Sequence, residues 1–201
     1  MMIAGLVLAG GAGTRMGTPH RLKPLTLLHG RPLAAHAAGA LAGLDPILVS
    51  GPAGRGLEAL GWPVIRDLRA SSHGPLAGLE AAYAHLSTAF PQVTHILSVP
   101  GDTPFLPRDL VSAMTTGTDG RIAVAASGGQ LHPTAALWPM TVLAGLRTWM
   151  DGTERRALRA FIGAEEWRVV DFPVAGPIDP FFNVNTPQDL AVAASVPPRN
   201  A

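Results

Sequence analysis

Residues 3–8 form a short apolar run that passes without a spacer into Gly10-Gly11-Ala12-Gly13-Thr14-Arg15-Met16-Gly17, with Lys23 shortly after. The run reads as a buried strand and the glycines as a turn, so the stretch predicts a strand feeding a phosphate-binding loop. Backbone N–H groups close on a polyphosphate only where no Cβ intervenes and φ is free to turn positive, which is what glycines supply. Arg15 and Lys23 would neutralise the anionic oxygens. Lys23 is the one lysine in a chain that otherwise carries its positive charge on arginine. A compact charge on a flexible stem suits a shifting phosphate, while a solvated surface lysine is the plainer alternative.

Two better-known glycine motifs do not fit. No Lys-Ser/Thr pair follows Gly17, so the loop is not of the Walker type. The dinucleotide fingerprint matches Gly11 and Gly13, but Met16 stands where a third small residue is needed, and no acidic residue closes a second strand at the ribose distance.

The chain has 201 residues and a net charge of +1, which predicts one α/β domain and no basic field for nucleic acid. Charge on a substrate must be met locally. With no cysteine, a disulfide framework, thiol catalysis and thiolate metal sites are excluded. The N-terminal apolar stretch lacks a basic flank and is too short to span a bilayer. The expectation is a soluble cytoplasmic chain with no membrane partner.

Pro32 predicts a helix over 32–44, followed by a strand over 46–50, a short helix over 57–60 and a third strand over 63–67. If the sheet is parallel, Asp67 ends that strand on the rim that carries the glycine loop, where open α/β sheets bind ligands; a turn-capping aspartate is the alternative. A helix is expected over 74–89, with Gly78 inside its first turn at a cost of about 1 kcal/mol relative to alanine, which close approach of something flat such as a base would explain. A fourth strand over 94–99 leads into Pro100-Gly101-Asp102-Thr103-Pro104. A lone carboxylate in a proline-stiffened turn suits Mg²⁺, which takes one or two carboxylates plus substrate phosphates.

Beyond it, a helix begins at Asp109 and Leu110, a fifth strand covers 122–126, and His132-Pro133-Thr134 precedes an extended 135–138 and a helix over 139–150. His132 either meets an anionic acceptor or is a structural turn residue, and nothing in the sequence pairs with it as a metal ligand or in a nucleophile triad. A helix from about Thr153 carries Arg155, Arg156 and Arg159, a cationic patch or a solvated face. The last strand is 167–172. Thr186, Pro187 and Asp189 read as a capping box opening a C-terminal helix, which leaves Asn183 and Asn185 unexplained.

Taken together, Leu8-Ala9-Gly10-Gly11 with Arg15-Met16-Gly17 and Lys23, Gly74-Pro75-Leu76-Ala77-Gly78, Gly101-Asp102-Thr103-Pro104, His132-Pro133-Thr134 and Asn183-Val184-Asn185-Thr186-Pro187 resemble the molybdenum cofactor guanylyltransferases over nearly the whole chain. The resemblance implies a three-layer, Rossmann-like nucleotidyltransferase fold with a mostly parallel central sheet. One domain over 1–201 would divide into a nucleotide-binding half, about 1–105, and an acceptor-binding half, about 106–195. It implies an enzyme that moves GMP from GTP to the terminal phosphate of molybdenum-bound molybdopterin with Mg²⁺, releasing pyrophosphate.

The residues carried over are Leu8, Ala9, Gly10, Gly11 and Gly13 at the nucleotide, Lys23 and Arg15 at its phosphates, and Ser50, Asp67 and Gly78 at its nucleoside end. Asp102 falls at the metal, and His132, Arg155, Arg156, Asn183 and Asn185 at the acceptor. Arg15, Lys23 and Asp102 form the catalytic set. Cofactor-delivering or molybdoenzyme-chaperone proteins are expected partners, and the chain is expected to be a monomer or weak homo-oligomer.

Two departures from the family stand out. The lysine lies farther from Arg-Met-Gly than usual, so Arg21 shares or takes the role of Lys23; and Ser50 replaces a frequent asparagine. A cytidylyltransferase of the same cofactor pathway and a nucleotide-binding regulatory module without catalysis are the alternatives.

Overall fold

A computed structural model describes residues 1–10, 22–69, 74–154 and 157–197. After β1 (Ile3–Leu8), a 3₁₀ turn at Lys23–Leu25 leads to a small antiparallel ribbon, β2 (Leu27–Leu28) and β3 (Arg31–Pro32). Then follow α1 (Leu33–Gly39), β4 (Ile47–Ser50), β5 (Val64–Ile65), α2 (Pro75–Ala89), β6 (His95–Pro100), α3 (Leu110–Thr115), β7 (Ile122–Ser127) and β8 (Gln130–Pro139). Helices α4 (Met140–Leu143), α5 (Leu146–Asp151) and α6 (Leu158–Ile162), strand β9 (Trp167–Phe172) and helix α7 (Pro187–Ala194) complete the chain.

Seven strands form one sheet in the order β5-β4-β1-β6-β8-β7-β9. The pairs β5/β4, β4/β1, β1/β6 and β7/β9 are parallel, and β8 runs antiparallel to both β6 and β7. Six strands therefore point the same way, and their carboxyl ends share one rim. Period-two alternation divides the core between the sheet's faces. Val7, Val49, Val99 and Ala123 meet α1 and α3 on one face, whereas Leu6, Leu48, Ile96 and Val124 meet α2, α4, α5 and α6 on the other. The result is the expected three-layer α/β fold.

Several elements differ from the sequence expectation. The first helix ends at Gly39 and continues to Leu44 in tighter i→i−3 turns, closed by Gly43 at φ +88°. β5 is two residues long, and Asp67 lies beyond it. The 139–150 helix divides at Ala144-Gly145, where glycine's low helix propensity weakens the run, and α6 starts only at Leu158. His132-Pro133-Thr134 lies within β8, where the register shifts against Val124/Ala125. Proline belongs at such a bulge because it has no N–H to give to a ladder. Among the described residues, no helix is long and apolar enough to cross a membrane.

Candidate active site

The carboxyl rim is assembled around the end of β1. Leu8 faces Ser50 and Pro100, and Gly101 donates its N–H to the Leu8 carbonyl at 2.9 Å. A Cβ on Gly101 would stand 3.2 Å from that carbonyl oxygen and 3.3 Å from Pro24 Cβ. Glycine therefore lets the Lys23–Leu25 turn press against the Asp102 turn. Lys23 Nζ forms an ion pair with Asp102 Oδ2 and donates to Asn185 Oδ1 at 2.7 Å. Both charged side chains are largely covered, so their attraction is screened less than that of a surface pair.

Thr103, fully buried, donates to Asn183 Oδ1 at 2.5 Å, and Val184 N–H donates to the Asp102 carbonyl at 2.9 Å. Asp189 accepts from the N–H groups of Asn185 at 2.9 Å and Thr186 at 2.8 Å, while Thr186 Oγ1 accepts from Asp189 N–H, which completes the expected capping box. Burial pushes the Asp189 carboxyl up, but those N–H donors, the Thr186 hydroxyl and the Lys23 charge together leave it below its ordinary range. Lys23, Asp102, Asn183 and Asn185, far apart in sequence, thus share one network. A single carboxylate beside a cation at the carboxyl rim of the sheet fits Mg²⁺, which draws its other ligands from substrate oxygens and water. Among the described residues no cluster of three or more His, Asp or Glu exists to hold a metal by itself.

Farther along the same rim lies a second cluster that sequence reasoning missed. The Ser127 hydroxyl, at the end of β7, donates to Asp179, whose two carboxylate oxygens both stand 2.8 Å away. With its one proton so directed, the hydroxyl accepts from His132 Nε2 at 2.7 Å. His132 stacks on Phe181 at 4.4 Å between ring centroids, and Phe181 N–H donates to Asp179 Oδ1 at 2.7 Å. Burial holds the imidazole below its ordinary pKa, Asp179 opposing and Arg159 reinforcing that shift. Within β8, His132 is thus held in a hydrogen-bonded cluster. It is not a nucleophile triad, because the hydroxyl proton goes to the carboxylate and Ser127 is fully buried. The Gly128-Gly129 pair, both with positive φ, makes the β7–β8 hairpin and was the available signal that Ser127 would meet this strand.

Other expected residues stand as follows. Leu8, Ala9 and Gly10 lie at the end of β1 on the rim, and Asp67 is exposed beside it. Ser50 is buried against Gly78, where an added Cβ would come within 2.4 Å of Ser50 Oγ. What approaches Gly78 so closely is β4, with no base needed to account for the glycine. Arg69, two residues after Asp67, bonds Glu80 of α2 through Nε at 2.7 Å and Nη2 at 2.9 Å, and Asp151 of α5 through Nη1 at 2.7 Å, tying this segment to both helices. Arg159 reaches the Leu131 carbonyl at 3.4 Å. Gly11, Gly13, Arg15, Arg21, Arg155 and Arg156 lie outside the described residues.

The family model of the MobA-like NTP transferase domain matches residues 5–168. The molybdenum cofactor guanylyltransferase of Rhizobium meliloti (strain 1021) is 39% identical, over 94% of this chain and 88% of that relative. The guanylyltransferase of Rhizobium leguminosarum bv. trifolii (strain WSM2304) is 40% identical, over 95% and 91%. The crystal structure of molybdopterin-guanine dinucleotide biosynthesis protein A from Archaeoglobus fulgidus superposes with a TM-score of 0.70 at 21% identity, covering 96% of this chain and 97% of that one, a likeness of fold. With this fold and these relatives, the chain belongs to the molybdenum cofactor guanylyltransferases, nucleotidyltransferases of the MobA-like NTP transferase domain family.

Proposed function

We propose that the chain transfers GMP from GTP to the terminal phosphate of molybdenum-bound molybdopterin, giving the guanine dinucleotide cofactor and pyrophosphate. One observation carries the reading: Lys23 and Asp102 meet at the carboxyl rim of a parallel sheet, in a chain about two-fifths identical to guanylyltransferases. The acceptor phosphate is already an anion. Its oxygen bonds to the α-phosphorus of GTP as the bond to the bridging oxygen breaks, so no covalent enzyme intermediate is required.

Asp102 would hold Mg²⁺, which when bound supplies charge neutralisation at the phosphates. Lys23, released from Asp102, would move its charge onto the nucleotide phosphates, with Arg15 beside it. Leu8, Ala9, Gly10, Gly11 and Gly13 would line the nucleotide, with Ser50, Asp67 and Gly78 toward its nucleoside end. Asn183, Asn185, His132, Arg155 and Arg156 would face the acceptor, which divides the chain into a nucleotide half, about 1–105, and an acceptor half, about 106–195. The proposed setting is the cytoplasm, as a monomer or weak homo-oligomer served by cofactor-delivering or chaperone proteins.

A turnover assay tests the reading. Purified protein supplied with GTP, Mg²⁺ and molybdenum-loaded molybdopterin should release one pyrophosphate per dinucleotide formed. Turnover with CTP in preference to GTP would replace it with the cytidylyl alternative, and nucleotide binding without turnover would leave a regulatory module.

A further inference from the structure

A cavity of about 620 Å³ opens between the β2–β3 ribbon, α1, the 104–108 segment and Pro197, within the size range of small-molecule sites. Its apolar wall includes Leu28, Ala40, Phe105 and Leu106, while Arg31 and Arg108 bring positive charge and His29 and His36 bring imidazoles. No carboxylate stands among the described residues that line it. His29 occupies the left-handed turn of the ribbon at φ +49°, next to Gly30 at φ +77°. A side chain rarely takes that conformation, and here it hangs at the cavity with Nε2 2.9 Å from the Val196 carbonyl. Burial holds His36 below its ordinary pKa, and although the Leu28 carbonyl opposes this, Arg31 and His29 both push the same way. With His36 held neutral, the positive charge of the lining comes from Arg31 and Arg108.

We propose that this cavity is a binding site for a small organic anion, a carboxylate, sulfonate or phosphate ester carried on a flat apolar body. The apolar wall takes the body and the Arg31 guanidinium takes the anion. The site is separate from the Lys23–Asp102 cluster, yet Pro104, Phe105 and Leu106 continue the turn that bears Asp102.

Naphthalene-1-sulfonate is the probe, titrated calorimetrically into the full chain with GTP and Mg²⁺ saturating, so that binding at the nucleotide site is blocked. Gly39→Phe plugs the cavity. Gly39 lines it in α1, with open space around an added Cβ, and an unchanged melting midpoint checks that the variant is folded. Arg31→Gln, on an exposed side chain, removes charge alone. The proposal expects one saturable site, lost in Gly39→Phe and about tenfold weaker in Arg31→Gln, with neutral naphthalene binding at least about tenfold more weakly than the sulfonate. Binding unchanged in Gly39→Phe, equal affinity for the neutral compound, or no saturable binding overturns it.

Discussion

The rim carries two polar clusters built on opposite plans. At β6 a lysine pairs with an aspartate and also donates to an asparagine, a pair of full charges in which the lysine has two partners. At β7 a buried hydroxyl is held between a carboxylate and an imidazole, with its proton and both neighbours fixed and one ring stacked on Phe181. The 179–185 segment bridges them, beginning on Ser127 through Asp179 and ending on Lys23 through Asn185. On the proposed reading the two plans divide the labour: the first cluster would exchange its contacts with a ligand, and the second would keep the bridging segment in place.

The strongest way to break that contrast is Asp102→Ala. It should lower Mg²⁺-dependent transfer by about 10³-fold or more while the protein still melts cooperatively as a folded chain, because the residue removed serves charge and not packing. Steady-state rates with calorimetric melting check both halves. Ser127→Ala should do the reverse, stranding Asp179 and His132 without their hydroxyl at a cost of about 1–3 kcal/mol and lowering the midpoint by several degrees, with GTP affinity retained. A Ser127→Ala protein that melts normally but fails to turn over would move that cluster into the chemistry.

Thr186→Ala sharpens the picture at the bridge's far end. Loss of the cap should cost about 1 kcal/mol in denaturant unfolding and loosen Asn185 without abolishing transfer. The smallest effect is expected from pH. Burial depresses the pKa of His36, His95 and His132 below the ordinary 6.5, so the unfolded chain takes up protons first as pH falls. Their contribution to stability is complete above about pH 6.5 and declines as pH drops through that value toward the folded pKa values. Unfolding free energy measured from pH 8 to 5 should fall, and His132→Gln should make the fall shallower.

Much of this was readable in the sequence where the signal is local. The β9 and α2 boundaries, the capping box and the strand-to-glycine start need only periodicity, proline and cap chemistry. The site residues Lys23, Asp102, Asn183 and Asn185 were legible as motifs, yet their meeting was not, because it depends on parallel pairing of β1 with β6 and on a chain separation of 162 residues between Lys23 and Asn185. Insertion of antiparallel β8 between β6 and β7 is likewise a non-local choice, and with it the Ser127 cluster was hidden. Gly78 misled because a glycine reports close approach without naming what approaches. Here it is Ser50.

Calorimetric titration of GTP, CTP and ATP, with and without Mg²⁺, into the parent and Asp102→Ala proteins tests whether Asp102 holds the Mg²⁺ that accompanies bound GTP. Selective GTP binding that Mg²⁺ tightens in the parent and leaves unchanged in the variant is the predicted result. Preference for CTP, or Mg²⁺ tightening that survives the loss of Asp102, would contradict it.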